Sequence, residues 1–237
     1  MIMKSTPVNF FERTNGNNTF TKGKKDRQQR LAIRKNLTAE QRQLMLKYDK
    51  EYFESEIGYG GYNYDGRYGP AVERMIQYYG LKPGNRMLDI GCAKGFLVYE
   101  FQKRLGDDNQ SVAFGCDISS FALDNCKEEV RSQLFQMSAD KLDFQDNTFD
   151  LVISIDTIHN LPENLADNAI REMIRVSKGS CFLQVASYSS PETKEALRNW
   201  AVTIETFRNP KQWLKSFEKN SYTGEYNFKI FRFDEEK

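Results

Sequence analysis

Four short stretches carry residue types and spacings that could do chemistry. Met87-Leu-Asp-Ile-Gly-Cys-Ala-Lys-Gly-Phe96 puts one carboxylate, Asp89, at the end of an apolar run, with Gly91 and Gly95 directly after it. An apolar strand, a glycine turn and a following helix let a ligand approach the backbone, because the helix's free amides point at the same spot. Asp89 can accept hydrogen bonds from a cationic amine, so the arrangement suits an amino-acid moiety better than a pyrophosphate. A second acid, Asp117, stands in Gly115-Cys-Asp117-Ile118-Ser119, 22 positions beyond Gly95, the distance of one helix and one strand. The third stretch, from Gln136 to Asp150, includes Ser138, Ala139 and Asp140. The fourth, Ser154-Ile-Asp-Thr-Ile-His-Asn-Leu161, holds Asp156 and His159, the only histidine of the chain. An imidazole of ordinary pKa can act as general base near neutral pH.

A further segment is built for contact. From Ile57 to Gly69 the chain reads Ile-Gly-Tyr-Gly-Gly-Tyr-Asn-Tyr-Asp-Gly-Arg-Tyr-Gly. Its glycines forbid regular structure, while Tyr59, Tyr62, Tyr64 and Tyr68 offer flat faces with hydroxyl tips. The expectation is a lid, with Arg67 as the candidate partner for a carboxylate.

Short strands and amphipathic helices must position these groups. The pattern predicts strands at 86–90, 112–116, 134–137, 149–155 and 180–186, and helices at 96–105, 120–130 and 163–176. Upstream it predicts a helix over 38–56, opened by Thr38, and another from Pro70 to Tyr79, stopped by Gly80. Downstream, 210–220 reads as a helix and 226–233 alternates as a strand. The aromatic residues after Trp200 (Phe207, Trp213, Phe217, Tyr222, Tyr226, Phe228, Phe231 and Phe233) read as core. Strand and helix in alternation imply right-handed crossovers and a parallel sheet covered on both faces, with ligands at the carboxyl ends of the strands.

Composition bounds the rest. The 237 residues are 39% hydrophobic, 28% charged and 13% aromatic, with a net charge of +1 and a mean hydropathy of −0.68, which excludes a disordered or fibrous chain. No apolar run approaches a membrane span and the start lacks a signal peptide's apolar stretch, so a cytoplasmic protein is expected. Cys92, Cys116, Cys126 and Cys181 form no Cys-x-x-Cys pair and read as free thiols. Residues 1–36 hold nine Lys or Arg against Glu12 and Asp26. That surplus of seven leaves the remainder with a deficit of six. A basic arm can attract nucleic acid, but the Asn-, Thr-, Gly- and Lys-rich sequence reads better as a loosely ordered terminus.

The segment Asp89-Ile-Gly91-Cys-Ala93-Lys-Gly95 resembles the first motif of the class I S-adenosylmethionine-dependent methyltransferases, D/E-x-G-x-G-x-G, with Ala93 in place of the middle glycine. The resemblance covers roughly Pro70 to Ala186. It implies S-adenosyl-L-methionine as cofactor, bound by Asp89, Gly91, Cys92, Ala93 and Gly95. Asp117 would take both ribose hydroxyls and Ile118 would pack on the adenine. Leu142, Phe144, Asp146, Phe149 and Asp150 match the family's third segment and place Ser138 where an adenine-binding Asp normally stands. Ser138 and the Ala139 amide would serve there, with Asp140 ranked second. The family's methyl acceptor meets the sulfonium near Asp156 and His159, the candidate catalytic residues. The Tyr/Gly loop, with Tyr59, Tyr62, Tyr64, Arg67 and Tyr68 as substrate or lid residues, is similar to that of small-molecule methyltransferases of sugar or secondary metabolism.

The expected fold is α/β, a Rossmann-like doubly wound, mostly parallel sheet of six or seven strands, plus an N-terminal helical extension. The family closes its sheet with an antiparallel strand, and the chain's early end suggests that the seventh strand is missing. The expected organisation is a basic arm (1–37), a helical and Tyr/Gly-rich lid region (38–79) and a cofactor-binding core (80–237). Methyl transfer to an oxygen or nitrogen of a small molecule is the expected function. A noncatalytic partner of the same fold and a nicotinamide-dependent oxidoreductase are the alternatives. No Asn/Asp-Pro-Pro-aromatic tetrad or Pro-Cys nucleophile points to a nucleic-acid acceptor, and no Asp-Asn companion to Asp156 points to a metal.

Overall fold

The computed structural model describes residues 5–11, 24–107 and 110–230. Among these residues the sheet has seven strands, all parallel: β1 (Thr6–Pro7), β2 (Met87–Ile90), β3 (Ala113–Asp117), β4 (Leu134–Gln136), β5 (Phe149–Ile155), β6 (Ser177–Ser187) and β7 (Glu225–Ile230). Their order is β1-β7-β6-β5-β2-β3-β4. The order reverses between β5 and β2, which leaves a crevice at the carboxyl ends of those strands. The helices are α1 (Lys24–Lys35), α2 (Ala39–Met45), α3 (Lys50–Glu54), α4 (Gly69–Tyr79), α5 (Phe96–Leu105), α6 (Ser120–Asp124), α7 (Glu163–Val176), α8 (Pro191–Trp200) and α9 (Pro210–Lys219).

Period-2 alternation splits the core between the two faces of the sheet. Met87, Leu151, Ile153 and Phe182 face α4 and α5, packing on Val72, Met75, Val98 and Phe101. Leu88, Ile90, Val152, Leu183 and Val185 face α7 and α9, where Ile170, Met173, Trp213 and Phe217 meet them. Each fully buried side chain of this kind contributes roughly 1.5–3 kcal/mol. Of the aromatic residues expected in the core, Trp213, Phe217, Tyr222 and Tyr226 lie in it. Phe228 packs against it, and Phe207 joins a small separate cluster. Phe231 and Phe233 lie outside the described residues.

The differences from expectation have local causes. Residues 38–56 form two helices: Tyr48 takes a left-handed φ of 50° that a continuous helix excludes, and Asp49 caps α3 by accepting from the Lys50 amide. Over 120–130 the α-helix stops at Asp124 and resumes as a 3-10 turn at Glu128–Gln133. The strand after α9 is parallel to β6, not antiparallel, and the seventh strand comes from the chain's beginning. Thr6 and Pro7 pair with Glu225 and Tyr226. Within the arm expected to be loosely ordered, this strand, the buried Phe10 and α1 are all in place.

Candidate active site

Gly91, at the end of β2, takes a φ of +84°, and a Cβ there would lie 2.0 Å from Thr157 Oγ1. Only glycine lets the turn approach the end of β5 this closely. The amides of Gly91 and Cys92 both donate to the Cys116 carbonyl, at 2.7 and 3.0 Å. Asp117, at the end of β3, closes the turn from the other side, accepting from the Ala93 amide (2.8 Å) and the Ser119 amide (2.9 Å). Burial raises the Asp117 pKa, and these amides pull it back. Asp89 is 4% exposed. It takes no donor from the described residues, and burial, aided by the Asp117 charge, pushes its pKa up to about 8.

A cavity of about 750 Å³ opens over this turn and continues across the carboxyl ends of β5, β6 and β7. Of the expected cofactor residues, Gly91, Ala93, Asp117, Ile118, Ser138 and Ala139 line it. Ile118 is 52% exposed, an unusual state for a large apolar side chain. Asp89 and Cys92 border a small adjoining recess with Tyr62 and Tyr68. Gly95 lines neither; it caps α5 in the left-handed region and is packed against Leu134. The Ser138 hydroxyl donates to Asp140, so these two act as a unit.

Among the expected lid residues, Tyr59, Tyr62, Arg67 and Tyr68 line the cavity. Tyr62 stacks on Phe96 with centroids 4.9 Å apart, and its hydroxyl is 2.9 Å from that of Tyr68. Burial raises the pKa of Tyr62 and Tyr68, and that of Tyr59 to about 12, so all three phenols stay neutral. Tyr64 turns away: its hydroxyl donates to Glu100 and its ring stands against Phe96 and Tyr99. Arg67, expected to be open to a ligand carboxylate, is held by both oxygens of Asp65.

Asp156 and His159 both line the cavity, in different states. Asp156 follows β5 with a φ of 55°. Its Oδ2 accepts from Lys229 Nζ at 2.5 Å, while its Oδ1 is buried without a hydrogen-bond partner among the described residues. Burial alone would raise its pKa; Lys229 and His159 outweigh that and hold it below the usual value. His159 is 5% exposed, and its Nδ1 accepts from the Ala186 amide at 3.0 Å. The neutral ring therefore carries its proton on Nε2, and burial pushes its pKa down to about 4. A ring in that state can donate from Nε2 and has its one lone pair engaged. Proton abstraction by this ring would first require Nδ1 to release the Ala186 amide.

Several residues in or beside the cavity escaped the sequence reading. Arg34 is buried and donates to the carbonyls of Ile57 (2.8 Å), Gly58 (2.5 Å) and Trp200 (2.7 Å), with its guanidinium 4.8 Å from the Trp200 ring. It ties α1 to the root of the Tyr/Gly loop and to the end of α8. Lys94 pairs with Glu54 at 2.7 Å and joins α3 to the glycine turn. Gln184, Asn227 and Lys229 form a polar edge on β6 and β7. The alternation of Asn227 and Lys229 with Phe228 and Ile230 is the one signal that could have found it.

The comparisons agree with this geometry. A methyltransferase-domain family model matches residues 87–180. The ubiquinone/menaquinone biosynthesis C-methyltransferase UbiE of Pseudomonas entomophila is 32% identical over 126 residues, 50% of this chain and 48% of that one. Its counterpart in Shewanella sediminis is 30% identical over 124 residues, 49% and 48% of the two chains. The chain thus spans about half the length of the curated relatives it matches. The YcgJ protein of Bacillus subtilis superposes with a TM-score of 0.50 at 18% identity, over 63% of this chain and 66% of that one, a likeness of fold alone. The glycine turn, the two acids and the strands from β2 to the start of β6 all lie within the stretch that matches the methyltransferase-domain model.

Proposed function

We propose that the protein transfers a methyl group from S-adenosylmethionine to an oxygen or nitrogen of a small molecule of the sugar or secondary-metabolite kind. The observation that carries this reading is one cavity joining the Gly91–Ala93 turn and Asp117 to Asp156. The residues fit the cofactor. Asp89, with no donor among the described residues, suits the ammonium of its amino-acid end, Asp117 its ribose, and Ile118, Ser138 and Ala139 its adenine. When bound, S-adenosylmethionine supplies a methyl carbon on a sulfonium, open to displacement in line.

The chain's own part is mainly positioning and exclusion of water, which can supply most of the acceleration. Tyr59, Tyr62 and Tyr68 wall the cavity with neutral aromatic surface. The Asp156 carboxylate can only accept, so an acceptor group facing it carries an O–H or N–H. A carboxylate held below its usual pKa anchors that hydrogen first and removes the proton second. Lys229 keeps the carboxylate charged and oriented. His159 would add a donor from Nε2.

Titration with S-adenosylhomocysteine, followed by labelled-methyl transfer to hydroxyl and amine acceptors, tests the reading. Asp156→Asn should lower turnover on the order of 100-fold with unchanged S-adenosylhomocysteine affinity. A parent protein that does not bind S-adenosylhomocysteine refutes the function; a variant with normal turnover refutes only the role of Asp156.

A further inference from the structure

The N-terminal segment does more than add a short strand. Two residues of pairing do not hold a strand by themselves, and here two other contacts fix it. Phe10 is 3% exposed, set edge-on to Phe182 and Tyr78 at centroid distances of 4.9 and 5.3 Å. Its carbonyl accepts from Arg74 Nε at 2.8 Å, while the Val8 amide donates to Tyr226 at 2.8 Å. With Phe10 plugged into the core, Asn9 and Phe11 are delivered to the rim of the cavity, which both line.

Asn9 Oδ1 there accepts from Asn227 Nδ2 at 3.4 Å, and the same Nδ2 donates to Gln184 Oε1 at 2.8 Å. Gln184 and Asn227 are cross-strand neighbours, and Ile155, just before Asp156, is the neighbour of Gln184 on the other side. Asp156, Gln184, Asn227 and Asn9 therefore form one polar row across the ends of β5, β6, β7 and the segment after β1. The row lies on the far side of the crevice from the Gly91 turn.

Taking the cavity as the methyl-transfer site proposed above, we infer that the N-terminal segment completes the acceptor half of that site. The amide row selects an acceptor with neighbouring hydroxyl or amino groups on a ring. Side-chain amides hold donors and acceptors close together, and an apolar acceptor would strip their water without replacing its hydrogen bonds.

The test uses the full chain, labelled S-adenosylmethionine and two acceptor pools: hexose and aminohexose phosphates, and a prenylated quinol. Transfer is expected in the first pool and absent from the second. Asn227→Leu and Asn9→Leu, which leave the Phe10 plug intact, should each lower kcat/KM for the methylated sugar about tenfold, chiefly through KM. Their melting temperature and S-adenosylhomocysteine affinity should stay at the parent's values. Phe10→Ala should raise KM further while S-adenosylhomocysteine still binds. Transfer to the quinol or to neither pool, or Leu variants with parental KM, overturns the inference. Failure of the parent to bind S-adenosylhomocysteine would instead strike the reading beneath it.

Discussion

The Gly91 turn and the opposite wall of the cavity are built by opposite strategies. Around Gly91 the closing contact, Ala93 N to Asp117 Oδ2, spans 24 positions, and the turn lies in one strand-turn-helix-strand unit. Across the crevice the contacts are long-range: Lys229 reaches Asp156 over 73 positions, Arg34 reaches Trp200 over 166 and Asn227 reaches Asn9 over 218. A local unit can be moved between proteins intact, whereas a wall assembled from distant segments can change residue by residue. That difference accounts for a glycine turn written as a motif and an opposite wall that is not.

The largest effect should come from the local half. Gly91→Val places a branched side chain on a left-handed backbone and on Thr157, a combination costing about 3 kcal/mol or more. S-adenosylhomocysteine binding should be lost outright. If calorimetry on a folded Gly91→Val protein found parental affinity, the turn would not be at the cofactor. Next is Asp117→Ala, which should weaken binding roughly 10- to 100-fold, the loss of about 1.5–3 kcal/mol of charged hydrogen bonding. Unchanged affinity with the fold intact would remove Asp117 from the ribose.

Asp89 sharpens the same half through pH. With its pKa raised to about 8, the free protein holds Asp89 protonated at neutral pH, and an ammonium can pair with it only after the proton leaves. Affinity for S-adenosylhomocysteine should therefore rise with pH up to about 8, by at most tenfold per unit, and then level off. Asp89→Asn should flatten that slope. Titrations in buffers of different ionisation enthalpy would report the released proton, and a flat profile between pH 6 and 8 would place the amine elsewhere.

These contrasts also explain what could be read in advance. Phe96–Leu105, Phe149–Ile155 and Glu163–Val176 fall where periodicity puts them, because each buries a face with a regular repeat. Asp89, Gly91 and Asp117 were legible because their chemistry and spacing are local. The break at Tyr48 was not: its carbonyl accepts from Ser119, so a tertiary contact supports a backbone angle that helical periodicity does not foretell. Nor was β1, which is two residues long and held by Phe10. His159 looked catalytic as a residue type and is constrained by one amide from β6.

Arg34 tests the long-range half where it meets the Tyr/Gly loop. Arg34→Met would remove one donor from each of the carbonyls of Ile57, Gly58 and Trp200, with Arg30 still on Gly58, at a cost of about 1–3 kcal/mol. The loop should open more often, and chymotrypsin should cut between Tyr59 and Tyr68 about tenfold faster, since cleavage follows the open population. In the parent, S-adenosylhomocysteine should slow the same cut. Equal rates with and without it would make the segment a connector and not a lid.

The smallest effect on turnover should come from His159, and its direction in pH separates the two possible roles. A base would make the rate fall as pH drops through the imidazole pKa, and its removal would cost about 100-fold. The ring here is buried and neutral with Nδ1 engaged, so His159→Gln should change turnover less than fivefold, the scale of one neutral hydrogen bond, and leave the pH–rate profile in place. Its signature belongs to stability instead. The folded pKa, near 4, lies below the ordinary 6.5. The stability tied to the neutral ring is therefore complete above pH 6.5 and is lost as pH falls from there toward 4. Thermal melts across that range should show a steeper decline in the parent than in His159→Gln. A variant with the parent's melting slope and a collapsed rate would return His159 to catalysis.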